Sequence, residues 1–132
     1  MQRTALVTGA TAGFGAAICR TLIENGYRVI GTGRRVARLE QLQQELGENF
    51  HFLAFDISDR QATEDAFHSL PASWQSIDLL VNNAGLALGL ESADKASLDD
   101  WMQMIDTNIK GLVTITRLAV SYTHLRAHET TL

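Results

Sequence analysis

The segment "TALVTGATAGFG", Thr4 to Gly15, decides the fold class. A short apolar run, Thr4 to Thr8, is followed by glycines at positions 9, 13 and 15, and a pattern with helical spacing begins there. This order predicts a buried β-strand that leads through a glycine-rich turn into an α-helix. Such a junction lets a phosphate chain lie against the backbone, because no Cβ obstructs it and the helix start offers free N–H groups. A tight turn alone would also use glycines, so the placement between strand and helix is what favours a phosphate site.

The rest of the chain repeats the alternation of strand and helix. Three further apolar runs predict strands, at Tyr27 to Thr32, Phe50 to Phe55 and Ile77 to Asn82. Helical patterns follow each strand; they end at Gly26 and Gly47, begin at Ser58 with a capping box to Gln61, and begin again after Ser97. Since no two-residue hairpin turns occur, the strands should be parallel and covered by helices on both faces. The predicted fold class is α/β, a Rossmann-type doubly wound parallel sheet that contains the first four βα units only.

Composition limits the class of partner. The chain has 132 residues, 45% of them hydrophobic, with 15 acidic and 11 basic residues and a formal net charge of −4. These values predict one soluble domain with a small-molecule partner, and they favour neither nucleic acid nor a membrane. A signal-peptide core is missing from the first residues, and the single cysteine, Cys19, fits a small buried side chain in a reducing compartment. We therefore expect a cytoplasmic protein.

Two arginines follow the second predicted strand. At this strand tip a dinucleotide fold recognises the adenosine ribose, by an acid when the 2′-hydroxyl is free and by arginine when it is phosphorylated. Arg34 and Arg35 occupy the tip, and no acid appears before Glu40. Solvated arginines at a helix start are the alternative, although the helix dipole disfavours cations there. The pattern favours NADP over NAD.

Polar residues also follow the third and fourth predicted strands. Asp56 and Ile57 come after the third strand, and the segment "NNAG", Asn82 to Gly85, comes after the fourth. The carboxyl ends of parallel strands form the edge where open α/β sheets bind ligands, so these residues are candidates for cofactor contact. Asp56 could instead cap the next turn, and "NNAG" could be a plain turn.

Taken together, the motifs resemble the short-chain dehydrogenase/reductase family. The matching segments are "TGATAGFG", "GRR", "FDI", "NNAG" and "DTNIKG", in family order and at family spacing from Met1 to about Val120. Within the family they are most similar to the bacterial NADP-dependent 3-hydroxy acid dehydrogenases. The resemblance implies an oxidoreductase that transfers a hydride between NADP(H) and a small 3-hydroxy acid, such as serine, or a semialdehyde. A carbonyl reductase with another substrate class remains an alternative.

The resemblance also implies roles for individual residues. The cofactor would be bound by Gly9, Ala10, Thr11, Ala12, Gly13, Phe14 and Gly15 at the pyrophosphate, Arg34 and Arg35 at the 2′-phosphate, Asp56 and Ile57 at the adenine, and Asn83, Ala84 and Gly85 on the nicotinamide side. Asn108 would be catalytic, holding a water of the proton relay where the helix opens slightly. Family members are commonly homotetramers, which we expect of the full-length parent.

The serine, tyrosine and lysine that complete the family's active site would come later in the chain. A cation near the tyrosine is physically required, because free tyrosine titrates near pH 10. Tyr122 and Arg126 have the tyrosine-to-cation spacing, but Tyr122 follows Asn108 by fourteen positions with no intervening strand. His124 and His128 lack a third metal ligand, so no metal is expected.

We therefore predict two parts. Residues 1–120 would form the N-terminal half of an NADP-binding domain, and residues 121–132 would be a tail outside the family pattern that results from truncation. The fragment alone would be inactive. Two alternatives stay open: a non-catalytic nucleotide-binding module whose tail folds back to cap the sheet, and a fragment with no stable function because one flank of the sheet is exposed.

Overall fold

The computed structural model describes residues 2–11, 13–85, 97–122 and 130–131. In these residues the strands are β1 (Thr4–Val7), β2 (Arg28–Gly33), β3 (Phe50–Ala54), β4 (Leu79–Val81) and β5 (Thr130–Thr131). The α-helices are α1 (Gly13–Glu24), α2 (Val36–Leu46), α3 (Arg60–His68), α4 (Leu98–Ile105) and α5 (Leu112–Tyr122). None of the helices in the described ranges is both long enough and apolar enough to span a membrane.

The strands form one sheet in the order β3-β2-β1-β4-β5, and every pair is parallel. The predicted α/β class is confirmed, and the four predicted strands are present with small shifts at their ends. The two-residue β5 was not predicted; it aligns Thr130 with Leu80 and Thr131 with Val81 on the outer edge of β4. The order places β1 at the centre, so the glycine-rich turn after β1 lies in the middle of the sheet edge.

Two apolar clusters cover the two faces of the sheet. Neighbouring residues of a strand point to opposite faces, so Leu6 belongs to a cluster with Phe67 and Ile115, whereas Val7 belongs to one with Cys19. Cys19 is fully buried, and burial raises the pKa of its thiol to about 12. This cysteine is therefore a core residue, as its sequence context predicted.

The helix starts show where local prediction succeeded and failed. Ser97 caps α4 as predicted, since its Oγ accepts a hydrogen bond from Asp100 N at 3.1 Å. The prediction that Ser58 caps α3 is wrong: Asp59 is the cap and accepts from Ala62 N at 3.0 Å. The reason is that the Ser58 hydroxyl donates to the Asp56 carboxylate at 2.7 Å. Helix α3 consequently begins later than expected.

A π-helical turn interrupts the long helix predicted after Ser97. It spans Asp106–Gly111 and joins α4 to α5, with Lys110 Nζ 3.1 Å from Asp106 Oδ1. A Cβ added at Gly111 would lie 2.9 Å from the Ile57 carbonyl oxygen, so glycine allows the turn to pack closely on the segment after β3. Wide turns of this kind often occur at functional sites.

An aromatic and cationic cluster closes the end of the sheet opposite the cleft. The rings of His51 and Trp74 stack with centroids 5.3 Å apart, and the Arg28 guanidinium lies 3.8 Å from the Trp74 centroid. Arg28 also donates to the Ser73 carbonyl at 2.8 Å, which ties β2 to the segment before β4. Partial burial and the charge of Arg28 lower the pKa of His51.

We expect this cluster to make the fold acid-sensitive. Because the folded-state pKa of His51 is below its ordinary value of about 6.5, the neutral imidazole is favoured in the fold. Its contribution is therefore fully present above the unfolded pKa and is lost as the pH falls through the folded pKa. The fall in melting temperature between pH 7.5 and pH 5 should be smaller in His51→Phe, which keeps a ring but cannot titrate. Equal falls in both proteins would contradict this assignment.

Candidate functional site

A cleft of about 270 Å³ opens at the carboxyl ends of the central strands. Five segments that are distant in sequence contribute to it: the turn after β1, the tip of β2 with the start of α2, the segment after β3, the segment after β4 and the π-helical turn. Its lining consists of Gly9, Thr11, Thr32, Gly33, Arg34, Arg35, Arg38, Phe55, Asp56, Ile57, Asn83, Ala84, Gly85 and Thr107. This is the edge where open α/β sheets bind their ligands.

The turn after β1 is locked to the segment after β4. The Thr8 hydroxyl oxygen accepts hydrogen bonds from Asn83 N and Ala84 N, both at 2.9 Å, and Asn83 Nδ2 donates to the Gly9 carbonyl at 3.1 Å. Gly9 has a φ of +64°, which favours glycine. Thr8 was not predicted as a site residue; its position as a polar residue ending an apolar strand was the available signal.

Gly15 lets the first turn of α1 rest directly on this loop. A Cβ at Gly15 would lie 1.8 Å from the Gly9 carbonyl oxygen. A Cβ at Gly13, in contrast, would meet no atom of the described residues within 4 Å. Close packing therefore requires glycine at position 15, whereas the space beside Gly13 is open.

The remaining residues of the predicted loop have different environments. Thr11 lines the cleft, whereas Ala10 is fully buried and its N–H donates to the Thr32 carbonyl at 2.9 Å. Phe14 is 83% exposed, and Ala12 lies outside the described residues. Of the loop residues that the structure describes, Gly9 and Thr11 line the cleft.

Three arginines line the cleft at the tip of β2. Arg34 and Arg35 were predicted there, whereas Arg38 was missed. Arg38 follows Arg34 by four residues and Arg35 by three, and this spacing places the three side chains on one side of the start of α2. In the described part of the chain, none of the three forms an ion pair. The cleft thus carries a concentration of positive charge with little compensation.

Asp56 both closes a local turn and lines the cleft. Its Oδ1 accepts hydrogen bonds from Ser58 N at 2.9 Å and from Ser58 Oγ at 2.7 Å. Partial burial alone would raise the pKa of Asp56, but these hydrogen bonds and the charge of Arg34 lower it. The carboxylate is therefore ionised at neutral pH, and the apolar residue Ile57 next to it also lines the cleft.

Asn108 lies within the π-helical turn at the mouth of the cleft. Its neighbour Thr107 lines the cleft, and a Cβ at Gly85 would lie 3.7 Å from Asn108 Oδ1. The wide turn therefore brings the Asn108 side chain to the end of the "NNAG" segment. An opened helix at this position is what the family resemblance implied.

Most of the residues singled out in the tail lie outside the described ranges. Tyr122 is the last residue of α5, and His124, Arg126 and His128 lie outside the described residues. Among the residues that are described, no group of three or more histidine, cysteine or acidic side chains is arranged to hold a metal.

The sequence and the fold match known dehydrogenases. A family model for short chain dehydrogenase matches residues 3–129. The chain is 71% identical over 117 residues to the probable NADP-dependent dehydrogenase of Haemophilus influenzae, covering 89% of this chain and 46% of that protein. It is 61% identical over 112 residues to the NADP-dependent 3-hydroxy acid dehydrogenase of Salmonella typhimurium, covering 85% and 45%.

A solved structure agrees with these relatives. The closed form of serine dehydrogenase complexed with NADP+ superposes with a TM-score of 0.86 and 55% identity, covering 90% of this chain and 48% of that one. The chain spans about half the length of the curated relatives it matches. With a family model that covers nearly all of its residues, the chain belongs to the short chain dehydrogenase family.

Proposed function

We propose that this chain supplies the NADP-binding half of an oxidoreductase that transfers a hydride between NADP(H) and a small 3-hydroxy acid, such as serine, or its semialdehyde. The observation that carries the proposal is the meeting of the glycine-rich turn and the arginines of the β2 tip in one cleft. Bound NADP would supply or accept the hydride. The names of the similar proteins support both the cofactor and the substrate class.

The residues of the cleft fit this cofactor. The open space beside Gly13 leaves room for a pyrophosphate at the start of α1, where free N–H groups and the helix dipole favour an anion. Arg34 and Arg35 would bind the 2′-phosphate, and Asp56 with Ile57 would contact the adenine. On the nicotinamide side, the segment Asn83 to Gly85 would lie against the ribose.

Asn108 would act in the complete enzyme by holding a water for the proton relay. The π-helical turn supports this role, because Asn108 lies in it and its Oδ1 would be 3.7 Å from a Cβ added at Gly85, next to the cleft lining. The serine, tyrosine and lysine of the family pattern do not occur at matching positions in this chain. We therefore propose that the chain by itself binds the cofactor without turnover.

The proposal is tested by titrating the purified chain with NADPH and with NADH, following tryptophan fluorescence and the melting temperature. NADPH should bind more tightly than NADH and should raise the melting temperature more at equal concentration. Serine added with NADP+ should give no NADPH absorbance. Equal affinities for the two cofactors, or no binding of either, would overturn the proposal for this chain.

The pairing of β5 with β4 favours a second candidate, a nucleotide-binding module without catalysis. In that case the tail is a working part of the sheet edge, since Thr130 and Thr131 cover backbone groups of β4 that would otherwise be exposed. The same titration on a chain that ends at Val120 separates the two. Unchanged NADPH binding favours the dehydrogenase half, and lost binding favours the module.

We also propose the homotetramer and the cytoplasmic location for the full-length parent. Large apolar side chains are exposed along the α4 to α5 segment, including Leu98 at 73%, Ile109 at 56% and Val113 at 62%. An exposed apolar surface of this kind is typical of a subunit interface. The fully buried thiol of Cys19 is compatible with a reducing compartment.

A further inference from the structure

The charges around the cleft are unbalanced. Of the described residues that line it, three are arginines and one, Asp56, is an acid, which leaves a surplus of two positive charges. A 2′-phosphate carries close to two negative charges near neutral pH. The surplus therefore matches the group that distinguishes NADP from NAD.

The three arginines are not equivalent. The charge of Arg34 contributes to lowering the pKa of the Asp56 carboxyl, so these two side chains are within electrostatic reach of each other, although they form no ion pair. Neither Arg35 nor Arg38 has an ion-pair partner in the described ranges. The uncompensated charge is thus carried by a pair of residues one helical turn apart at the start of α2.

The position of Arg38 is fixed by its neighbour in the helix. Leu39 is fully buried in the core cluster beneath α2, and its N–H donates to the Arg35 carbonyl at 3.1 Å. A Cβ at Gly33 would lie 3.6 Å from a Leu39 methyl carbon, so the first turn of α2 packs directly on the β2 tip. This packing holds the backbone of Arg38 at the cleft while its side chain stays exposed.

Arg38 lies near the positive end of the α2 dipole. It is the third residue of α2, and Arg35 at the N-cap makes no side-chain capping hydrogen bond. A cation there is mildly unfavourable for the helix. Binding of a phosphate by its guanidinium would offset this cost, because charge-assisted bidentate contacts to phosphate are strong.

We infer that Arg38 is a further specificity-determining residue, which binds the 2′-phosphate of NADP together with Arg35; this inference rests on the proposed function. Arg34 is shared between the phosphate and Asp56. Selection of NADP over NAD therefore depends on the first turn of α2 as well as on the strand tip.

The test measures the dissociation constants for NADPH and NADH of the full chain and of two variants. Arg38→Ala should raise the constant for NADPH about tenfold and leave that for NADH unchanged. Arg38→Lys keeps the charge but loses the planar two-pronged geometry of the guanidinium, so its dissociation constant for NADPH should lie between those of the original chain and of Arg38→Ala. The matched control is Arg3→Ala, which removes one exposed arginine just before β1, at the opposite end of the sheet, and should change neither constant.

A second probe separates a direct contact from a general effect of charge. Adenosine 2′,5′-bisphosphate and adenosine 5′-monophosphate differ by the 2′-phosphate. Arg38→Ala should weaken binding of the bisphosphate and leave binding of the monophosphate unchanged. Equal weakening of both, or an unchanged preference for NADPH, overturns the inference about Arg38.

The outcomes also separate this inference from the proposed function. If changing Arg34 and Arg35 to alanine abolishes the preference for NADPH while Arg38→Ala does not, the proposed function stands and the inference about Arg38 fails. If the unmodified chain shows no preference for NADPH, both fail.

Discussion

Replacing Gly15 with alanine is expected to destabilise the fold by about 3 kcal/mol or more, because the added Cβ would overlap backbone that cannot move away. That Cβ would lie 1.8 Å from the Gly9 carbonyl oxygen and 2.8 Å from Asn83 Nδ2. Gly9 is held by the hydrogen bond from Asn83, so relief of the clash would separate the turn after β1 from the segment after β4. The melting temperature should fall by roughly 10 °C or more.

Gly13→Ala is the matched control for this prediction. It adds the same methyl group two residues earlier in the same helix, where no described atom beyond the adjoining backbone lies within 4 Å. Alanine also favours the helical conformation over glycine by about 1 kcal/mol, so stability should be retained or slightly increased. If Gly15→Ala melted at the same temperature as Gly13→Ala, the close packing of α1 on the turn would be refuted.

The second large effect is expected at the tip of β2. Changing Arg34 and Arg35 together to alanine should raise the dissociation constant for NADPH by about 100-fold, since each charge-assisted contact contributes roughly 1.5 kcal/mol. The constant for NADH should change little, because NADH carries no phosphate at the 2′ position. Both side chains are exposed and unpaired in the described residues, so their removal should leave the fold intact.

The measurement is a parallel titration of both cofactors, with the melting temperature of the free variant as a check on folding. Raising the salt concentration should reduce NADPH binding by the original chain more than by the double variant, since screening weakens charge contacts. A variant that folds normally and still prefers NADPH by the original ratio would disprove the assignment of these two arginines.

Local sequence patterns correctly predicted helix ends at which a single nearby residue decides the conformation. Gly47 ends α2 with a φ of +78°, and Ser97 caps α4 with its own hydroxyl. Ser58 shows the limit of such reasoning: its sequence context predicted a cap, but its hydroxyl is taken by Asp56 and Asp59 caps the helix instead. Competition between nearby hydrogen-bonding partners is settled by geometry that a spacing rule does not contain.

Periodicity and glycines, which act over a few residues, were enough to predict the first four strands, the helices between them and the parallel sheet, but not β5. Motif positions and the family resemblance added most of the residues that line the cleft. Two contacts depend on the folded chain: Thr8 joins the turn after β1 to the segment after β4, and Asn108 lies beside Gly85. Each contact connects segments that are far apart in the chain and meet only when the sheet has formed.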